Sequence, residues 1–325
     1  MYNVRKIEEN INMRGDFQGT FLYDQELAPR TTFKVGGKAQ VLVEPATVES
    51  FLMVLESLKS WKLPHLILGG CSNVVVPDEG IEYPILSTTQ LTSLSLSPDK
   101  TLLHCGAGCS WQQVIDFCLE QRLGGLENFA GLPGTLGGAT FMNARCYDAS
   151  VSDVLVQVDY GQLTQNKAGQ WNASLKIYKM NVADWDYKIS PFQKQLVDCP
   201  VLAVTLKVRP LDETDFQQMK QKAQSFVADR EQKGHFSYPS AGSVFKNNRE
   251  FGKPSGKIID EAGLRGLELG GAQVAPWHGN FIINRGNASA SDIQQLVQLV
   301  QQQVHEKTGF YLEPEIIFLT RSIKT

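Results

Sequence analysis

The sequence predicts a protein of mixed α and β structure built in two parts, and three observations carry that prediction. Strand-like apolar runs at 65–68, 154–160 and 201–208 are interspersed with stretches of helical period at 48–58 and 111–119. Glycine pairs and Gly/Pro clusters separate them, as turns and loops require. The chain has 325 residues, enough for two or three domains with sizeable cores, and Pro210 marks a change of pattern that places a boundary near 210.

Residues 1–20 carry little hydrophobic pattern and read as a short helix or arm. Val41 and Val43 suggest a strand after the Gly36-Gly37 turn. Apolar residues at 48, 51, 52, 55 and 58 then mark one helix face. His65-Leu-Ile-Leu68 reads as a buried strand entering Gly69-Gly-Cys-Ser-Asn73, and Val74-Val-Val76 resumes it. That order suits a phosphate-wrapping loop, and it equally suits a tight hairpin. Thr101-Leu-Leu-His-Cys105 is another strand. Ser110 and Gln113 have capping-box spacing ahead of a helix with Trp111, Val114, Ile115, Cys118 and Leu119 on its core face, and Gly124-Gly125 supplies the stop.

Between the strands at 154–160 and 201–208 lies Trp185-Asp-Tyr-Lys-Ile-Ser-Pro-Phe192, an aromatic loop with one cation. Thr214 and Gln217 form a second capping box, leading a helix with Phe216, Met219, Ala223, Phe226 and Val227 inward. The last helix starts near Ser291, carries Ile293, Leu296, Val297, Val300 and Val304, and ends at Gly309. Leu312-Glu-Pro-Glu-Ile-Ile-Phe-Leu319 reads as a final strand.

At the centre stands Phe129-Ala-Gly-Leu-Pro-Gly-Thr-Leu-Gly-Gly-Ala-Thr-Phe-Met-Asn143, with Gly131, Gly134, Gly137 and Gly138 inside eight positions and Pro133 among them. Glycine forfeits backbone entropy and proline removes a donor, so no ordinary helix or strand favours this composition. It suits a backbone pressed against something flat or anionic, whose N–H groups form an anion-binding concavity. A long surface loop is the other reading.

Composition excludes several classes. With 31 basic and 34 acidic residues the net charge is −3, which gives no electrostatic case for nucleic acid. No run of eighteen apolar residues offers a membrane span, so no membrane partner is expected. The six cysteines form no Cys-x-x-Cys pair and read as reduced thiols of a cytoplasmic protein; no metal site is expected, because His104 and Cys105 lack a second ligand pair. Gly252-Lys-Pro-Ser-Gly256-Lys257 is one residue short of a P-loop, Gly106-Ala-Gly108 lacks a third glycine, and neither Gly-x-Ser-x-Gly nor His-Glu-x-x-His occurs.

Five segments occur in a telling order: Thr32-Phe-Lys-Val-Gly-Gly, Leu68-Gly-Gly-Cys-Ser-Asn, Gly131-Leu-Pro-Gly-Thr-Leu-Gly-Gly, Ser240-Ala-Gly-Ser-Val-Phe-Lys-Asn and Leu312-Glu-Pro-Glu. Together, over about residues 30–319, they resemble the UDP-N-acetylenolpyruvoylglucosamine reductase (MurB) family, in its shorter class without a long insertion. The resemblance implies an α+β protein: an arm at 1–20, an FAD-binding domain of the vanillyl-alcohol-oxidase/PCMH type at 21–209 (subdomains about 21–86 and 87–209), a substrate-binding domain at 210–312, and a strand at 313–325 returning to the active site. It further implies a cytoplasmic monomer of peptidoglycan precursor synthesis with non-covalent FAD reduced by NADPH. Hydride then passes to C3 of the enolpyruvyl ether of UDP-N-acetylglucosamine, and a proton to C2.

By the same resemblance Ser243 is the proton donor, Glu315 the second acid, and Lys188 the cation facing the substrate carboxylate. Lys188 stands where the family carries arginine, so the charge is kept and the two-pronged fork lost. Val35, Gly69, Gly70, Cys71, Ser72, Asn73, Gly131, Pro133, Gly134, Thr135, Gly137, Gly138 and Asn143 are implied to hold the flavin; Tyr187, Arg230, Lys246 and Asn247 the sugar nucleotide. Arg145-Cys-Tyr-Asp148 departs from the family's Gly-Ala-Tyr-Gly. His278 and Asn280 belong to a shared motif without an assigned role. Two alternatives stand beside this reading: another flavin oxidoreductase of the same superfamily, or a flavin- and nucleotide-sugar-binding protein impaired at Lys188.

Overall fold

A computed structural model describes residues 4–322. They form two compact units, one of residues 4–23, 41–70 and 83–227, the other of 24–40, 71–82 and 228–322. The helix Glu213–Gln232 contributes residues to both.

The first unit holds a five-stranded antiparallel sheet in the order Trp171–Lys179, Leu155–Gln165, Val201–Lys207, Leu102–Gly106, Leu94–Leu96. Against it packs the helix Trp111–Gln121, whose Ser110–Gln113 capping box is formed as the spacing requires. Trp111 stacks on Phe129 with ring centroids 4.2 Å apart, both fully buried. The stop differs from expectation: Arg122, at φ 54°, takes the left-handed cap position, and Leu123–Gly124 already pairs with Arg209–Pro210.

The strand Trp171–Lys179 was not anticipated; Leu175 and Ile177 stay exposed on it, so no clean inward alternation announces it. A second core of this unit joins the helices Val4–Arg14 and Val48–Ser60 through Val4, Ile7, Ile11, Phe51, Val54, Leu55 and Leu58. Beside it the strand Ile85–Ser87 pairs in parallel with both neighbours, Leu42↔Ile85 and Leu66↔Ile85. The helix Glu213–Gln232 is capped by Asp212, whose Oδ1 accepts from the Asp215 N–H at 2.8 Å, so the expected Thr214 cap lies inside the helix.

The second unit carries an antiparallel sheet in the order Ser240–Ser243, Phe281–Asn284, Ala272–Val274, Glu268–Leu269. The helix Ala290–Thr308 supplies Ile293, Leu296, Val297, Val300 and Val304 to its core, opens on a Ser289–Asp292 capping box and closes at Gly309 with φ 76°. Phe33, Val35 and Val75 are buried in that same core although they come from the first quarter of the chain. Val74–Val75 pairs in parallel with Ile317–Phe318, whereas Leu66–Leu68 pairs with Ile85–Ser87. The hairpin reading of 65–76 is therefore excluded. The strand expected over 312–319 shrinks to Ile317–Phe318 plus a single bridge, Phe245↔Pro314.

Candidate active site

In the first unit the two glycine segments meet. The Gly70 N–H donates to Thr135 Oγ1 at 3.2 Å. A Cβ on Gly69 would stand 2.5 Å from that same oxygen, and one on Gly70 3.1 Å from the Gly134 Cα. Gly134 itself sits at φ +94°, closed to other residues. After it the chain winds into the short helix Leu136–Phe141, which the glycine content argued against. Its first two N–H groups are taken, Leu136 by the Cys109 carbonyl at 2.9 Å and Gly137 by the Ala107 carbonyl at 2.8 Å. The Gly138 N–H, in the first helical turn, has no intrahelical acceptor, and its residue is exposed. Pro133 is exposed and Thr135 buried. The result is an open glycine face with a donor on it, bolted to the 106–109 loop.

The same segment holds the aromatic loop. Asn143 is buried at φ 41°; its Nδ2 donates to the Asp186 carbonyl at 2.8 Å and its Oδ1 accepts from the Ser152 N–H at 3.1 Å. Ser190 Oγ donates to the Phe141 carbonyl at 2.6 Å. Gln193 Nε2 reaches both the Phe141 carbonyl, at 2.5 Å, and the Lys188 carbonyl, at 3.2 Å. These bonds fix a tight turn in which Asp186 and Ile189 exchange backbone bonds and Tyr187 and Lys188 stand at the tip. Lys188 lies at φ 60°, in a left-handed conformation that costs a residue with a Cβ about 1–2 kcal/mol. Arg145–Cys146 and Ala149–Ser150 form a small hairpin, with Tyr147 Oη donating to the Phe226 carbonyl at 2.9 Å.

In the second unit Ser243 and Glu315 are joined through the backbone. The Glu315 N–H donates to the Val244 carbonyl at 2.7 Å, and the Lys246 N–H to the Glu313 carbonyl at 2.9 Å. On the other side Ser243 pairs with Phe281, and the Val244 N–H donates to the Asn280 carbonyl at 2.9 Å. Asn73 Nδ2 holds the Glu315 carbonyl at 3.0 Å. Ser243 is exposed and opens on a hollow of about 300 Å³ that Asn247, Lys257, Arg265 and His278 also line. Glu315 is half-buried and not part of that lining.

Other expected contacts are occupied differently. Val35 is buried in the core, with its N–H and carbonyl both bonded to Thr31 Oγ1. Cys71, at φ 49°, and Ser72 turn their carbonyls to the Thr32 backbone N–H and Oγ1. Burial pushes the Cys71 thiol up to about 11, so it stays protonated. Lys246 Nζ is paired with Glu313 Oε1 at 2.5 Å, and Asn247 Oδ1 caps the helix Ser255–Glu261 by accepting from the Ser255 N–H at 2.9 Å. Arg230 is buried beside His235, Nη1 to Nδ1 3.5 Å.

Sequence reasoning missed two cations. Lys257, on the helix Ser255–Glu261, sits in the hollow with no ion pair within 4 Å among the described residues. Arg265 is paired with Asp260 at 2.5 Å. Lys257 belongs to the segment discarded as a defective P-loop, and only its place beside Ser243 gives it meaning.

A family model described as the FAD binding domain matches residues 39–160, and one described as the UDP-N-acetylenolpyruvoylglucosamine reductase C-terminal domain matches residues 234–319. The UDP-N-acetylenolpyruvoylglucosamine reductase of Treponema denticola is 44% identical over 93% of this chain and 94% of that one. That of Borreliella burgdorferi is 36% identical over 91% and 93%. The crystal structure of the Thermus caldophilus reductase superposes with a TM-score of 0.72 at 28% identity, covering 94% of this chain and all of that one. With the glycine face, the Ser243–Glu315 linkage and this likeness along nearly its whole length, the chain belongs to the UDP-N-acetylenolpyruvoylglucosamine reductase family.

Proposed function

We propose that the two units divide the work of the reductase, the first holding FAD and the second presenting the sugar nucleotide and its proton donor. The activity is the family's: UDP-N-acetylglucosamine enolpyruvate is reduced to UDP-N-acetylmuramate, with NADPH as the source of hydride. Bound FAD supplies the hydride relay between the two. The residues fit that group. Gly69 and Gly134 leave no Cβ between the two loops, and the exposed Gly138 N–H offers a donor to an anionic oxygen.

Ser243 Oγ gives a proton to C2 after C3 has accepted the hydride. Lys188 faces the negative charge that develops on the substrate carboxylate, and Glu315 acts as the second acid. Tyr187, Asn247 and Arg230 contact the nucleotide sugar, with Lys246 reached once its pairing with Glu313 opens. We add Lys257 as the cation nearest an incoming diphosphate. Along the chain we assign residues 21–209 to the flavin, 210–312 to the substrate and 313–325 to the second acid, although 24–40 and 71–82 pack within the second unit and 210–227 within the first. Among the described residues no helix is long and apolar enough to cross a membrane, and the six free thiols support a reducing cytoplasm. We assign the active form as a monomer.

The observation that carries this assignment of roles is the 2.7 Å bond from the Glu315 N–H to the Val244 carbonyl, which ties the acid's backbone to the residue next to the serine. Anaerobic reduction by NADPH followed by reoxidation with the enolpyruvyl sugar nucleotide tests it. Wild type completes both half-reactions, and Ser243→Ala and Glu315→Gln complete only the first. Equal reoxidation by all three would overturn the roles.

A further inference from the structure

Asn280 is only 4% exposed, and its side chain spends both of its functions on one peptide neighbour. Its Oδ1 accepts from the Phe245 N–H at 2.8 Å while its Nδ2 donates to the Phe245 carbonyl at 2.8 Å. Its own carbonyl accepts from the Val244 N–H at 2.9 Å. Three bonds from one residue therefore grip the two positions that follow Ser243. They act directly after the register shift between Ser240 and Ser243, holding the two residues that follow the last ladder pair, Ser243 with Phe281.

The grip is itself oriented. The Asn280 N–H donates to His278 Nδ1 at 3.1 Å, which requires the imidazole to accept at that nitrogen. The opposite side of the same segment carries the Glu315 N–H to Val244 bond. A primary amide is the one neutral side chain that both accepts and donates in this geometry: a carboxylate would set an oxygen against the Phe245 carbonyl, and alanine would leave two buried peptide groups unpaired.

We propose that Asn280 is the positioning residue for the Ser243 proton donor: although it borders the same hollow, both functions of its side chain are committed to Phe245, and it fixes the 243–245 backbone so that the hydroxyl meets the substrate carbon. This rests on Ser243 being that donor. A displacement of about 1 Å at a reacting group costs on the order of a hundredfold in rate.

The test follows the two half-reactions separately in Asn280→Asp, Asn280→Ala and Ser243→Ala holoenzymes, with thermal denaturation alongside. For Asn280→Asp the expected result is flavin reduction by NADPH within about twofold of wild type and reoxidation by the enolpyruvyl substrate slowed about a hundredfold. As pH falls the ratio to wild type recovers at least about tenfold, because a protonated carboxyl regains the donor; Asn280→Ala shows no such recovery. A folded Asn280→Asp that reoxidises at the wild-type rate, or loses both half-reactions equally, overturns the positioning role. If Asn280→Ala does not fold, Asn280→Asp alone decides. Wild-type reoxidation in Ser243→Ala instead removes the donor reading on which the proposal stands, and the two failures are told apart.

Discussion

The Asn143 amide reaches the Asp186 carbonyl oxygen at 2.8 Å, and through that bond the residue closing the glycine-rich segment holds the turn that carries Lys188. A side chain implied to touch flavin is thus committed to holding the turn of the proposed carboxylate-facing cation. Asn143→Ala removes this bond and the one to Ser152, and should lower stability by about 1–3 kcal/mol. Chemical denaturation of the holoenzyme measures the loss, and reoxidation should slow more than flavin reduction.

Lys188 combines the charge proposed to face the substrate carboxylate with a backbone conformation glycine prefers. Lys188→Gly should raise stability by roughly 0.5–1 kcal/mol while abolishing most turnover. Lys188→Arg should keep or raise activity, and Lys188→Ala should lose at least about tenfold without the gain in stability. Wild type, Lys188→Arg and Lys188→Ala that are equally inactive and equally yellow would point instead to a binding protein.

At the glycine contact, Gly69→Ala puts a methyl 2.5 Å from Thr135 Oγ1. The two loops must part, and the protein should emerge from desalting with a tenfold or greater loss of bound FAD, read as absorbance of yellow, non-covalent flavin released by denaturation. Retention of a full complement would show that the loops do not grip the cofactor.

Lys257 should act on binding more than on chemistry. Lys257→Ala should raise KM for the sugar nucleotide about tenfold with kcat little altered, and the difference from wild type should shrink with added salt.

His235 is held well below the ordinary imidazole range, at about 4, by burial first and then by the nearby Arg230 and His278. The unfolded chain takes up a proton between about pH 6.5 and 4 that the folded chain refuses, so stability is whole above 6.5 and declines as pH falls through that window. Melting temperatures of wild type should drop across it more steeply than those of His235→Gln.

What the residues disclosed on their own was local. The helix Ala290–Thr308 could be read from its serine cap, its apolar spacing and Gly309, because each signal lies within a few residues of what it controls. The Asp212 cap was missed because Asp212-x-x-Asp215 and Thr214-x-x-Gln217 overlap, and periodicity does not choose between them. Ser243 and Glu315 are nominated through motif order alone. The meaning of Asn280 was hidden, since its partner Phe245 lies thirty-five residues away and nothing in its neighbourhood encodes that contact.

The second unit is sewn from three stretches, with Phe33, Val35 and Val75 in a core otherwise drawn from beyond residue 228. During vectorial synthesis those three side chains leave the ribosome long before the helix that will cover them, and Val74–Val75 waits for Ile317–Phe318 to supply its parallel neighbour. Nascent chains must therefore carry exposed apolar surface through most of translation, and a fragment begun at residue 228 would lack part of its own interior.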